Sequence, residues 1–185
     1  MELGLVGGSR GTLTVSNGLV YVSGWGRDLR IANAVNATGT VNLFNGQIDI
    51  RDDIMIGDDG NGSMTIHGGS VLGDSVWIGY QSSAVGSLTM TAGGFEVGGA
   101  TFSVGDRGRG MLTVGGTALL DIGDGGTIHF KVGGSGGAGV GTVFQTGGIV
   151  TNQGGDLLIG SGGSGVTGTY VISGGVLDLD DDVWI

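Results

Sequence analysis

Apolar and polar residues alternate in short runs along almost the whole chain, as in Leu13-Thr14-Val15, Ile48-Asp49-Ile50 and Val76-Trp77-Ile78. Alternation with a period of two, in runs bounded by Gly, Asn and Asp, predicts strands joined by tight turns. The runs are ordered into a repeat. Its start, a Gly followed by a small or apolar residue, recurs at Gly11, Gly39, Gly62, Gly86, Gly110, Gly141 and Gly168, at intervals of 28, 23, 24, 24, 31 and 27 residues. The segment GTVNLFNGQIDIRDDIMI from Gly39 lies over GTYVISGGVLDLDDDVWI from Gly168 for 18 positions without a gap. Each unit reads as a strand, an NG or GG turn, a second strand, a Gly/Asp turn and a third strand. A variable polar loop follows, longest at residues 133–140.

Three strands per period of about 25 residues, with no helix between them, suit a solenoid better than an antiparallel meander. Each strand then stacks in parallel on its counterpart one coil away, at roughly 4.8 Å. The expected first-strand ladder runs through Leu13/Val15, Val41/Leu43, Met64/Ile66, Leu88/Met90, Leu112/Val114 and Tyr170/Ile172. The third-strand ladder runs through Leu29/Ile31, Ile54/Ile56, Val76/Ile78, Phe102/Val104, Phe130/Val132, Leu157/Ile159 and Val183/Ile185. The predicted fold is all-β: one parallel β-helix domain over residues 1–185, of about seven coils. An antiparallel sandwich is the alternative.

Composition narrows the function classes. Of 185 residues 46 are Gly, and there is no Pro and no Cys. A collagen, a disulfide scaffold and a cysteine-based zinc site are therefore excluded. Each Gly costs about 1 kcal/mol against Ala inside a helix, which disfavours helix throughout. Hydrophobic residues make up 39% of the chain and the mean hydropathy is +0.30, which argues against disorder. No apolar run approaches the length of a membrane-spanning helix. With a net charge of −10 and Lys131 as the single lysine, the chain lacks the footprint of a nucleic-acid binder.

The cadence of GTLTVSNGLVYV, GSMTIHGGSVL, GSLTMTAGGFEV and GTYVISGGVLDL resembles the repeats of large bacterial surface and secreted proteins of the autotransporter-passenger type. That resemblance covers nearly the whole chain. It implies a right-handed β-helix and an extracellular or cell-surface location, and it is specific for architecture rather than activity.

Residues 3–7 (LGLVG) and 180–185 (DDDVWI) close at the same phase of the repeat, and no cap is evident at either end. Uncovered strand edges invite pairing with another chain. Two readings stay open: an excerpt of a longer repeat protein, or a subunit stacking head to tail into a filament, a self-assembly that does not close. In the second, Leu5, Val6, Val183 and Ile185 carry the longitudinal contact.

Alternation also names outward columns. The third-strand column reads Leu5, Arg30, Met55, Trp77, Ser103, Lys131, Leu158 and Trp184. An apolar stripe facing out marks an interaction surface, so Met55, Trp77, Leu158 and Trp184 are the lateral or ligand candidates, with glycans or a cell surface as partners. The first-strand column is rich in Thr, as on ice-binding β-helices, but decays at Met111, Phe144 and Val171; β-propensity alone explains the threonines. Acidic turns include Asp74, Asp124 and Asp180 to Asp182; of these corners, Asp52, Asp53, Asp58 and Asp59 are the candidates for calcium, which takes oxygen ligands. Solvated turns that keep the chain soluble are the plainer account, and no other cofactor is expected. Two N-x-S/T triplets place possible glycans on Asn36 and Asn61.

Catalysis finds little support. His67 and His129 stand alone, and Asp49 with Arg51 is a thin basis for a polysaccharide-cleaving enzyme, Glu96 lacking a basic neighbour. The expected function is that of a non-enzymatic extracellular structural protein, a β-solenoid that stacks into a fibre. A carbohydrate- or cell-binding adhesin is the alternative, followed by an ice-binding protein and a polysaccharide-cleaving enzyme.

Overall fold

The computed structural model describes residues 1–24, 26–123, 128–134 and 137–185. Asp124 and part of the 133–140 loop lie outside the described residues. Strand β1 (Glu2–Leu3) precedes the first coil, which consists of β2 (Arg10–Val15), β3 (Leu19–Val22) and β4 (Leu29–Ile31). The second coil is β5 (Thr38–Leu43), β6 (Gln47–Ile50) and β7 (Ile54–Ile56), and the third is β8 (Asn61–Ile66), β9 (Ser70–Gly73) and β10 (Val76–Ile78). The fourth is β11 (Val85–Met90), β12 (Gly94–Val97) and β13 (Phe102–Val104), and the fifth is β14 (Arg109–Val114), β15 (Leu119–Ile122) and β16 (Phe130–Val132). In the last two coils the first and second strands run together, giving β17 (Val140–Asn152) with β18 (Leu157–Ile159), then β19 (Thr167–Leu179) with β20 (Val183–Trp184).

Pairing is parallel and runs from coil to coil. The third strands form an eight-stranded sheet, β1-β4-β7-β10-β13-β16-β18-β20, and the first and second strands form the other sheet. The fold is a parallel β-solenoid of seven coils, as the repeat predicts. No helix of the described residues is long and apolar enough to cross a membrane.

The seven repeat-start glycines fall in one column, Gly11 on Gly39 on Gly62 on Gly86 on Gly110 on Gly141 on Gly168. Gly86 shows why the position excludes other residues. It points inward where the chain rounds a corner, and a Cβ there would lie against the Ile56 carbonyl oxygen and the Gly79 nitrogen. Backbone fills that part of the section and leaves no space for a side chain. Glycine serves a second purpose just after the third strand, where Gly57, Gly79, Gly105, Gly133 and Gly160 all have φ between 69° and 77°. Ala32 occupies this column at φ 61°, a left-handed conformation that costs an L-residue about 1–2 kcal/mol.

Both predicted ladders hold except at Ile185, which follows the end of β20 at Trp184 and so does not stack on Ile159. Leu29, Ile54, Val76, Phe102, Phe130 and Leu157 stack within the third-strand sheet and are almost wholly buried. Phe102 and Phe130 meet edge to face at 5.1 Å, and Phe130 meets Tyr170 at 6.0 Å. In the first-strand ladder the sixth coil supplies Val143 and then Gln145, fully buried in the column of Val15, Leu43, Ile66, Met90 and Val114. An amide is tolerated there because its groups are paired. Gln145 donates to the Val176 carbonyl at 2.7 Å, and the Tyr170 hydroxyl donates to its Oε1 at 2.7 Å. Burial in turn pushes the Tyr170 hydroxyl pKa up.

Candidate functional site

The ends of the solenoid are where its ladders run out. β19 pairs with β17 and β20 with β18, and their other edges have no strand partner among the described residues. Ile172 is an inward residue of the ladder yet is 50% exposed, whereas Val114, two coils back in its column, is fully buried. Tyr170, Leu177 and Leu179 beside it are only partly buried, as are Leu13, Val20 and Val22 at the opposite end. Of the residues expected to carry the longitudinal contact, Val183 and Ile185 lie on this outer edge, with Ile185 97% exposed. Leu5 and Val6 are exposed in the turn between β1 and β2. The register corrects one expectation. Glu2, not Leu5, stands opposite Arg30, so Leu5 lies outside the third-strand column. The apolar rhythm of LGLVG suggests a strand through Leu5, but Gly4 is the left-handed corner residue and fixes the strand end at Leu3.

The outward stripe of the third-strand sheet is less open than alternation implies. Met55 is buried, a second correction: it sits between Arg30 and Trp77, whose long side chains flank it in the column. Ser103, between Trp77 and Lys131, is buried as well. Trp77 is half-buried and its ring meets Tyr80 at 5.2 Å; Leu158 is half-buried, and Trp184 is exposed. The stripe therefore opens only towards its Trp184 end.

The four carboxylates chosen for calcium do not converge. Asp52 and Asp53 come together with Asp28 from the preceding coil, each placing a carboxylate oxygen within 4.8 Å of the others. Asp58 is drawn away, its carboxylate 3.1 Å from Arg30, which also holds Asp28 at 2.8 Å. Asp59 accepts a hydrogen bond from the Ser83 hydroxyl at 3.2 Å. Sequence distance misled here, because a solenoid brings together residues one coil apart rather than near neighbours in the chain. Within the Asp28 group, Arg30 faces Asp28, and the Gly26 and Arg27 backbone N–H groups donate to Asp52.

Asp53 pays for this crowding. Desolvation, then the charges of Asp52, Asp28 and Asp74, push its pKa up to about 6, against a hydrogen bond from Ser75. A carboxyl raised in the folded state stabilises fully below its unfolded pKa, and that stability is lost as pH rises through about 6. Asp53→Asn is therefore expected to raise the melting temperature at pH 7 and to flatten the slope between pH 4 and 6. Solvent screening limits the gain to about 1 kcal/mol, roughly 2–4 °C. Thermal melts at pH 4, 5, 6 and 7 check this, and an unchanged slope in the variant counts against it.

On the second-strand face lies an open cleft of about 530 Å³, lined by residues that include Tyr21, Asp49, Arg51, Leu72, Asp74 and Glu96. Arg51 approaches Asp49 at 3.4 Å and lies 5.9 Å from the centre of the Tyr21 ring. Asp49 and Arg51, the pair considered for a polysaccharide-cleaving enzyme, are thus in contact and share their cleft with Glu96. His67 stacks on Phe44 at 4.9 Å, and His129 accepts the Asp156 backbone N–H on Nδ1 at 3.0 Å; both histidines are held structurally. Asn36 and Asn61 are exposed at the corner between coils, Asn36 in a turn and Asn61 at the first residue of β8. The first-strand hydroxyl residues stack in register through Thr12, Thr40, Ser63 and Ser87, then give way to Met111.

Compared with known proteins, the chain matches no family model, no curated protein and no solved structure.

Proposed function

We propose that this chain is an extracellular structural protein whose solenoid stacks head to tail into a filament. The half-exposed Ile172 carries the reading: it is a core-ladder residue lacking only the next coil. A second copy supplies that coil in register. Its β2 and β3 extend the columns so that Tyr170 meets Leu13, Ile172 meets Val15, Leu177 meets Val20 and Leu179 meets Val22. Main-chain hydrogen bonding along open parallel edges supplies affinity without further adaptation. The repeat cadence, similar to that of autotransporter-type surface proteins, supports the extracellular setting.

Electron microscopy and sedimentation of the purified chain test this. Filaments with an axial repeat of seven or eight strand spacings, roughly 34–38 Å, are expected. Short single rods at every concentration would overturn it. A second reading, a glycan-binding adhesin, is favoured by the cleft around Tyr21, where an aromatic face adjoins carboxylates and a guanidinium able to bond sugar hydroxyls. Rods that stay monomeric but are retained by a glycan array would select it.

A further inference from the structure

The cleft on the second-strand face carries charge that is out of balance, and the imbalance points to the class of ligand it fits. Its lining follows one outward column: Tyr21 stands opposite Asp49, Asp49 opposite Leu72 and Leu72 opposite Glu96, one residue per coil. The corner after the second strand adds Arg51 and Asp74 to the same cleft. Beside Glu96, Gly98 has no side chain and a Cβ there would meet nothing within 4 Å, so the cleft is open to solvent at that point. Three carboxylates thus share the space with one guanidinium. Asp49 is buried and already uses it, its Oδ1 lying 3.4 Å from Arg51. Among the described residues, Asp74 and Glu96 take part in no ion pair. Nor do the three carboxylates converge: among the described residues, the acidic groups with oxygens within 4.8 Å of one another are Asp28, Asp52 and Asp53, and Asp156, Asp181 and Asp182. Negative charge spread along a cleft suits a ligand with separated cationic groups better than a single metal ion, which needs its oxygens gathered around it.

Resting on the glycan-binding reading of this cleft, we propose that its ligand is an oligosaccharide bearing free amines, whose protonated amino groups pair with Asp74 and Glu96. The exposed Tyr21 ring and the half-buried Leu72 take the C–H faces of the sugar rings. The Asp49–Arg51 pair offers fixed acceptors and donors to the hydroxyls. Acetylating the amines removes their charge and leaves both carboxylates facing a neutral group, so the cleft selects by charge as well as by shape. A basic peptide is served less well. β6 and β9 are paired with strands on both sides, so the face offers no open edge to an extended segment. A simple aliphatic polyamine would match the carboxylates but leave the Tyr21 and Leu72 surfaces without a flat partner.

Calorimetric titration of the full chain at pH 5.5 tests this, in about 0.15 M salt so that loose charge attraction is screened. The probes are a glucosamine hexamer, its fully N-acetylated counterpart, spermidine and trilysine. The glucosamine hexamer is expected to bind at least ten-fold more tightly than each of the other three. Glu96→Gln, a change at an exposed side chain, is expected to weaken that binding at least five-fold, with the melting temperature and the affinity for the acetylated hexamer unchanged. Tyr21→Ala is expected to weaken both hexamers. Equal affinity for the two hexamers overturns the selection for amines and leaves the glycan-binding reading standing. Spermidine or trilysine bound as tightly as the glucosamine hexamer overturns the sugar as the ligand. Binding that neither variant alters overturns the cleft as its place. If neither hexamer binds, the proposal falls, and an empty glycan array then removes the glycan-binding reading with it.

Discussion

Gly86→Ala is expected to destabilise the protein by about 3 kcal/mol or more, lowering the melting temperature by roughly 6–12 °C. The cause is a single methyl group in a section already filled by backbone. Gly86 is buried and inward, and the added Cβ would press on the carbonyl oxygen of Ile56 and on Ile78 and Gly79 at the preceding corner. Atoms of the main chain cannot move aside as the tip of a side chain can. Relief would require the corner to open, which would disturb the parallel pairing of β11 with both β8 and β14. Gly94→Ala is the matched control. Gly94 also belongs to a strand of the fourth coil, but nothing lies within 4 Å of a Cβ there and its φ is not left-handed. Its replacement is expected to change stability by no more than about 0.5 kcal/mol, or to stabilise slightly through the unfolded chain. Urea titrations followed by circular dichroism check both, and equal midpoints for the two variants would refute the packing account.

The same glycine explains how much of this fold was legible in the sequence. A residue type that a tight section demands at every turn of the chain becomes a periodic mark. The mark at Gly11 through Gly168 sets the coils in register from the sequence alone. Alternation then assigned the inward ladders, since side-chain direction in a strand is a local property. Local rules fail where a property depends on the neighbours above and below. Met55 points outward as alternation requires, yet it is buried because Arg30 and Trp77 flank it. Asp28 joins Asp52 and Asp53, and Asp58 joins Arg30, because in a solenoid proximity follows the coil offset. That offset was available from the Leu29–Ile54 alignment, which already places Asp28 level with Asp53. Gln145 could likewise have been read by carrying the alternation of Val143 and Phe144 one step further.

Ile172→Asp is expected to abolish assembly, raising the concentration needed for filaments at least 100-fold while leaving the monomer's melting temperature nearly unchanged. In the monomer, Ile172 is half in water, so a carboxylate there remains solvated. At the proposed joint it would be enclosed beside Val15 of the next copy, on the same column as Gln145 and Val114. Burying an unpaired carboxylate costs several kcal/mol, and each 1.4 kcal/mol is a factor of ten in an association constant. Val171→Asp separates this effect from a general intolerance of charge at the edge. Val171 is the adjacent residue and nearly as exposed at 42%, but its column, Phe144 and Thr113 below it, faces outward. An aspartate there would stay in water on both sides of the joint, so assembly should fall by no more than about three-fold, within the ordinary range of surface substitutions. Sedimentation velocity and negative-stain microscopy read both variants beside the wild type. Equal loss in the two would mean that charge at the edge, rather than continuation of the core ladder, governs the contact. Wild-type filaments that persist in Ile172→Asp would mean that the copies meet through some other surface.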